Sequence, residues 1–336
     1  MAFPRTVVSL PSDDLFNGQP SLQQAYERLR TYETTHSTKP LPARWLGHLL
    51  REVPVKDALA REITSCKDDT AIQDLSDIYR DLLLRLFKPQ EGPTPDPSDP
   101  SSRPSDVIVT NAILHDRVPQ DHGAAKCLAL KRDGGRSISG QYDISIEDIP
   151  KGSTCTWTNA AHIIPFVVNS NRDQEKNTGK GKETDPNLNW SAGVLAVLSR
   201  IGGIVPEEIR GEKINRLSNI ITMNAEHHIA FDRLAWWLEP ANSGEPNHYV
   251  VRRIRPNLSL LPVEIRFTST DPWLELPDPK FIAIHAACCR AAHLSAAVEA
   301  IDKIYDAFNE TRVLADNGSS AELLEFSLSK LVVSAS

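Results

Sequence analysis

The sequence predicts an α+β fold in which a small module of two strands and one helix (ββα) is embedded between mainly α-helical N-terminal and C-terminal segments. Three observations support this prediction. Apolar residues recur at helical spacing before residue 88, and they do so again in an alanine-rich stretch at residues 281–308. Between these segments the sequence changes to short runs with the composition of β-strands, separated by glycine and proline.

Residues 1–88 form the predicted helical N-terminal region. Ser21, with Gln24 three residues later, matches a capping box and predicts that a helix begins there. The apolar face of this helix would consist of Leu22, Ala25, Tyr26 and Leu29. A longer helical pattern follows, with apolar residues at Ile72, Leu75, Ile78, Tyr79, Leu82, Leu83 and Leu86. We therefore expect at least two amphipathic helices before residue 88.

A proline-rich segment, residues 89–105, separates this region from the next. It contains six prolines between Pro89 and Pro104, and proline cannot continue a helix. The composition predicts an extended linker and a domain boundary. The module is then assigned to residues 106–270, and a helical C-terminal region that packs on the rest of the chain to residues 271–336.

Two runs near the start of the module predict strands that pair as a β-hairpin. They are RSISGQYDI, residues 136–144, and TCTWTNAAHIIPF, residues 154–166. Pro150, Lys151 and Gly152 lie between them and are typical turn residues.

The rest of the module is predicted to combine helices and strands. A polar stretch at residues 169–189 predicts a mobile loop, and residues 190–201 return to helical spacing before Gly202 and Gly203. Asn224 predicts the cap of a short helix. The last predicted elements are two paired strands, LAWWLEP and HYVVRRIRP. Beyond the module, residues 281–308 and the segment SSAELLEFSLSKLVV predict C-terminal helices.

Composition and charge limit the possible functions. No run approaches the roughly 18 apolar residues of a membrane span, and the N-terminus lacks a leader pattern, so we expect an intracellular protein, cytoplasmic or nuclear. The net charge of −7 disfavours strong binding to nucleic acid. Residues 121–270, however, contain 18 basic and 17 acidic side chains, so the module itself is close to neutral.

The five cysteines are scattered along the chain without a CxxC pair. This spacing predicts neither a disulfide framework nor a structural zinc site, and we expect reduced thiols that are mostly buried.

The candidate site consists of His162, Asn219, His228 and Asp232. His162 ends the second predicted strand, where an imidazole that titrates near neutral pH can take a proton from water attacking a phosphodiester. Asn219 would hold that imidazole by a hydrogen bond to the ring or to the adjacent backbone. His228 and Asp232 are four residues apart on a predicted helix, so both can bind one hard divalent cation. The cation would neutralise charge that develops on the phosphate.

These residues lie within strings that resemble the HNH (His-Asn-His) nuclease-type domain widespread in fungal proteins: KRDGGRSISGQYD, TNAAHIIPF, LSRIGGIVPEEIRGEKINRLSNIITMNAEHHIAFDRLAWWLEP and HYVVRRI. The resemblance covers residues 120–260 and implies a ββα-metal fold. It implies that His162 is the general base, Asn219 the central asparagine and His228 a metal ligand, with Asp232 in place of the second ligand of many members. The implied cofactor is Mg²⁺ or Mn²⁺, with Zn²⁺ as an alternative, and the implied partner is nucleic acid.

Two positions depart from the family pattern. Ala161 stands where many active members carry an acidic metal ligand, so a bound cation would have one protein ligand fewer. Ser137 stands where related domains often carry cysteine, so packing rather than zinc must hold the module together.

Other residues of the module are candidates for substrate binding. Arg252, Arg253 and Arg255 form the densest basic cluster and could contact phosphates, although a solvated strand face is an equal interpretation. Trp236 and Trp237 could stack on bases. The more common arrangement of such a pair is one core residue and one partly exposed residue.

Three functions agree with these features. The first is a metal-dependent endonuclease of the HNH type. The second is an HNH-like scaffold repurposed as a small-molecule enzyme, of the cyclase or pericyclase type in fungal secondary metabolism, with no nuclease activity and no required metal. Ala161, the acidic chain and the apolar helical flanks, which could enclose a hydrophobic molecule, suggest this alternative. The third, ranked last, is a binding or regulatory protein with an inactive nuclease fold.

Overall fold

The computed structural model describes residues 7–12, 14–88, 118–119, 121–169, 186–254 and 261–310. The predicted linker, most of the predicted polar loop, Arg255 and the segment SSAELLEFSLSKLVV therefore lie outside the described residues. Over the described residues the fold mixes α-helices with small sheets, so the predicted α+β class is confirmed.

Four helices cover the N-terminal region: α1 Pro20–Thr35, α2 Leu41–Glu52, α3 Asp57–Ser65 and α4 Asp69–Phe87. The predicted apolar face of α1 is buried. Its predicted cap is wrong, because the helix begins at Pro20 and no side chain caps it. Proline suits this first position, since its fixed φ is already helical and it has no N–H to leave unpaired. In α4 the predicted apolar face is largely buried, but Ile78 is 53% exposed.

The module contains seven short strands and three α-helices among the described residues, besides short 3₁₀-helices. The strands are β1 Tyr142–Asp143, β2 Cys155–Thr156, β3 Thr158–His162, β4 Ile220–Asn224, β5 Trp236–Pro240, β6 His248–Arg253 and β7 Glu264–Arg266. The helices are α5 His122–Arg132, α6 Pro186–Gly202 and α7 Ala225–Asp232. Helix α5 was not predicted, and Asp121 caps it by accepting a hydrogen bond of 2.7 Å from the backbone N–H of Ala124.

The predicted hairpin is wrong. Strands β1 and β2 pair in parallel over two residues, whereas β3 pairs antiparallel with β4, far along the chain. Asp143, which ends β1, is buried, and its carboxylate accepts hydrogen bonds from the backbone N–H groups of Ser145 and Thr158, at 2.9 and 3.0 Å. The first predicted run is thus held at the start of β3 by a side chain, and its Ile138 N–H donates to the carbonyl of Thr222 on β4 at 2.9 Å. The backbone of β3 pairs with β4 instead, and all but the last residue of β3 are buried.

The predicted β5–β6 pair, the helix that ends before Gly203 and the cap of α7 are confirmed. The helix begins at Pro186, inside the stretch predicted as a loop. Strands β5 and β6 pair antiparallel, and β7 adds a third strand. Helix α6 ends at Gly202, followed by Gly203 in the left-handed conformation with φ 65°. Asn224 caps α7, accepting a hydrogen bond of 2.8 Å from the backbone N–H of His227.

The C-terminal region forms two helices, α8 Pro279–Ser295 and α9 Ala297–Glu310, instead of one continuous helix. They break at Ala296, which has φ 67°. Helix α8 packs against the N-terminal helices as predicted, and Arg290 pairs with Glu52 of α2 at 3.1 Å. No single helix among the described residues is long and apolar enough to cross a membrane.

One apolar core joins the N-terminal helices, the module and α8. In the β3–β4 pair, Ala161 and Ile221 belong to this core. Ala160 and Ile220, which alternate with them, belong instead to a smaller cluster against α5. The two strands that carry the candidate site are therefore held from both sides.

Candidate functional site

The candidate site lies where β3 ends and where α7 leaves β4. In the antiparallel pair, His162 is opposite Ile220, and Thr158 is opposite Asn224. Helix α7 starts immediately after β4, so His228 and Asp232 follow the strand that pairs with the strand of His162. The structure thus brings the predicted residues, which are separated by up to 70 positions, onto one strand pair and its attached helix.

Asn219 acts on the backbone next to His162 rather than on the imidazole. Its side-chain amide is fully buried and makes three hydrogen bonds. Oδ1 accepts from the N–H of Ile164 at 2.8 Å, while Nδ2 donates to the carbonyls of Ile164 at 3.0 Å and Ile214 at 2.9 Å. The sequence left open whether Asn219 binds the ring of His162 or the adjacent backbone, and the structure shows that it binds the backbone. Asn219 fixes the turn that follows β3.

The ring of His162 is oriented by Asn215. The Nε2 atom lies 3.1 Å from Oδ1 of Asn215, and the ring centroid lies 5.4 Å from that of His122. Burial, followed by repulsion from His122, lowers the pKa of His162 to about 4. The charge of His228 also contributes to this lowering of the pKa, and the Asn215 hydrogen bond opposes it. His162 is consequently neutral at pH 7 and has a lone pair that can accept a proton.

His228 and Asp232 face each other on α7. Nε2 of His228 lies 3.5 Å from Oδ2 of Asp232, and Nδ1 of His228 lies 3.3 Å from the amide nitrogen of Asn159 on β3. Burial, followed by repulsion from His122, lowers the pKa of His228 to about 4. Burial raises the pKa of Asp232 to about 7. The pair thus combines a neutral imidazole with a partly buried carboxyl group.

This pair fits a divalent cation with few protein ligands. Two ligand atoms at about 2.1 Å from one cation, at an angle near the tetrahedral or octahedral value, lie about 3.0–3.5 Å apart. The observed 3.5 Å between Nε2 and Oδ2 agrees with that separation. The part of the chain that the structure describes has no group of three or more His, Cys, Asp or Glu side chains arranged for a metal. Mg²⁺ tolerates such a set, since it commonly keeps several waters and binds substrate phosphate.

Sequence reasoning missed three residues of this site: His122, Asn159 and Asn215. His122 is the first residue of α5, and its Nε2 lies 2.9 Å from the carbonyl oxygen of Ala160. No periodic pattern marks these residues, because each reaches the site through a contact between distant parts of the chain. The cap at Asp121 was the one local signal that could have revealed α5.

Two of the three arginines proposed as substrate contacts, Arg252 and Arg253, make hydrogen bonds to neighbouring residues, and Arg255 lies outside the described residues. The Nε atom of Arg252 donates to Glu239 at 2.8 Å, and Nη2 of Arg253 to the carbonyl of Pro262 at 3.4 Å, so these bonds lie within or beside the three-stranded sheet. Trp236 and Trp237 are both fully buried, which excludes base stacking and corrects the expectation that one is partly exposed.

For the cysteines and for Ala161, the structure agrees with the predictions made from the sequence. All five thiols are free, and three of them, Cys127, Cys288 and Cys289, are buried. Ala161 is fully buried in the main core, so this position of β3 supplies packing instead of a ligand.

Comparison with known protein families finds that residues 137–239 match the HNH endonuclease family. The matched segment contains His162, Asn219, His228 and Asp232, and the chain therefore carries an HNH-type domain. Comparisons with curated proteins and with solved structures find no significant match. HNH domains commonly use a divalent metal. Helix α5 and His122 lie outside the matched segment.

Proposed function

We propose that this protein is a metal-dependent endonuclease that hydrolyses phosphodiesters in nucleic acid. The observation that carries the proposal is the pairing of β3 with β4 and α7, which brings a neutral His162 near a carboxylate–imidazole pair inside an HNH-type domain. We interpret this strand pair and helix as the ββα-metal unit.

In this proposal His162 is the general base. Its imidazole takes a proton from water, the water oxygen attacks phosphorus, and the bond from phosphorus to the leaving oxygen breaks. The leaving oxygen takes a proton from solvent. His228 and Asp232 would hold the cation, which when bound supplies positive charge to the phosphate. Asn219 keeps the turn after β3 in place. The amide of Asn159 lies 3.3 Å from Nδ1 of His228. For Nε2 to bind the cation, Nδ1 must carry the proton, so this amide would turn its oxygen toward the ring.

The alternative, a small-molecule cyclase, has less support. The apolar residues of the flanking helices are packed into one core with the module. A cavity of about 340 Å³ among the described residues has charged residues in its lining, namely Glu208, Arg216, Glu275 and Asp278. A hydrophobic ligand would be poorly matched to that lining.

The test is cleavage of supercoiled plasmid and of single-stranded DNA and RNA oligonucleotides by the purified full chain, with Mg²⁺, with Mn²⁺ and with EDTA. We expect metal-dependent cleavage that falls by about 10²–10⁴-fold in His162→Ala, because that variant lacks the base. His248→Ala, a histidine on β6 that pairs with Glu264, is the matched control and should cleave normally. No cleavage with any of these substrates and metals, or equal cleavage by His162→Ala, would overturn the proposal.

A further inference from the structure

We infer that Asn215 is a positioning residue that fixes the tautomer of His162, so that Nδ1 is the nitrogen that accepts the proton from water. This inference rests on the proposed nuclease function and assigns the reacting atom and the residue that selects it. Asn215 lies at the end of the short 3₁₀-helix Gly211–Asn215, and it is one of the buried polar residues of the module.

A hydrogen bond joins the side chain of Asn215 to the ring of His162. The atom of Asn215 that faces Nε2 of His162 is the carbonyl oxygen Oδ1, at 3.1 Å. A carbonyl oxygen only accepts hydrogen bonds, so Nε2 must carry the proton. A neutral imidazole has one proton on its two ring nitrogens, and Nδ1 is therefore left with the lone pair.

The other groups near the ring of His162 do not take the place of Asn215. His122 cannot replace Asn215 through its Nε2, because that atom faces the carbonyl of Ala160 at 2.9 Å. Phe166 lies 6.3 Å from His162 between ring centroids and has no hydrogen-bonding group in its side chain. His122 and His228 are the titratable groups that act on His162 through charge, and both disfavour its protonated form.

Asn219 holds the segment of Asn215 in place beside His162. Asn219 binds the backbone of Ile164, two residues after His162, and also the carbonyl of Ile214, one residue before Asn215. One buried amide thus connects the segment that carries the base to the segment that carries its orienting residue. In this chain the central asparagine fixes His162 and Asn215 relative to each other.

The experiment uses histidine-selective ¹⁵N labelling of the full chain and a two-bond ¹H–¹⁵N correlation spectrum, which distinguishes protonated from unprotonated ring nitrogens. The His162 signals are those missing from His162→Gln. We expect the tautomer with hydrogen on Nε2 in the wild type, and loss of that single tautomer in the nearly isosteric Asn215→Leu. We also expect kcat for oligonucleotide cleavage to fall by about 10–100-fold in Asn215→Leu, less than on removing the base.

Asn215→Asp provides the conservative variant. Its carboxylate accepts the same hydrogen bond, so the tautomer and most of kcat should be retained. The added negative charge favours the imidazolium, so the acid limb of the profile of kcat/KM against pH should move up by about 1 unit or more. Asn242→Asp, which places the same charge in an exposed turn, should not move that limb. A general structural role for Asn215 predicts no such shift.

The outcomes separate the inference from the proposed function. Hydrogen on Nδ1 in the wild type, or an unchanged tautomer and kcat in a folded Asn215→Leu, overturns the inference. If Asn215→Leu does not fold, the wild-type tautomer and the pH profile of Asn215→Asp decide. A wild type that has hydrogen on Nε2 but cleaves no substrate supports the orientation by Asn215 and overturns the nuclease function.

Discussion

Single amides determine the geometry of the histidines in this protein. Asn215 faces His162, and Asn159 faces His228. Asn219 binds the backbone of Ile164, two residues after His162. Only Asn219 was predicted from the sequence, because its place in the order of the motif is a local signal. Asn215 is 53 residues from His162, and Asn159 is 69 residues from His228. Local sequence patterns cannot predict contacts over such separations.

Among the α-helices α1–α9, the shortest one carries the proposed metal pair. Helix α7 spans only Ala225–Asp232, too short to be stable alone, so its cap and its packing must define it. The sequence correctly predicted this cap at Asn224, as well as the β5–β6 pair, because caps and strand alternation are local patterns. It failed for the pairing of β3 with β4, since the paired residues, from Thr158 and Asn224 to His162 and Ile220, are far apart in the chain and no local pattern marks them as partners.

We predict that Asn224→Ala destabilises the protein and weakens the metal pair on α7. The side chain of Asn224 accepts from His227 and donates to Gln141 at 3.1 Å, and loss of an N-cap typically costs about 1 kcal/mol. Differential scanning calorimetry should show a Tm lower by about 2 °C, and calorimetric titration should show weaker Mn²⁺ binding. Asn224→Asp keeps the acceptor oxygen and should stay near the wild-type Tm. An unchanged Tm in Asn224→Ala would contradict the role of this cap.

At the scale of the whole molecule, the N-terminal helices, the module and the C-terminal helices share one core. His285 of α8 shows this directly: its ring stacks on Phe231 of α7 at 3.9 Å and contacts the edge of Phe87 of α4 at 5.4 Å. The sequence predicted that terminal helices flank the module and that the C-terminal ones pack on the N-terminal ones. It could not predict which aromatic rings are in contact, because packing in a core depends on residues from several distant segments.

We predict that His285 makes stability fall in acid. Burial lowers the pKa of His285 to about 3, whereas an exposed histidine titrates near 6.5, so folding favours the neutral ring. This contribution is complete above pH 6.5 and is lost as the pH falls from 6.5 toward 3, at about 1.4 kcal/mol per pH unit.

The check is the free energy of unfolding by urea at several pH values for wild type and His285→Phe. The variant keeps an aromatic ring in the same position and removes the titrating group, so its stability should fall less steeply between pH 6.5 and 4.5. Parallel curves for the two proteins would show that another group is responsible.

In the proposed mechanism His228 and Asp232 together hold a divalent cation beside His162. Anomalous diffraction from crystals soaked in Mn²⁺ measures this directly. We predict one strong peak within about 2.3 Å of both His228 Nε2 and Asp232 Oδ2 in the wild type, and no such peak in Asp232→Asn. Saturating Mn²⁺ that leaves this position empty in the wild type, or that binds only elsewhere, would contradict the account.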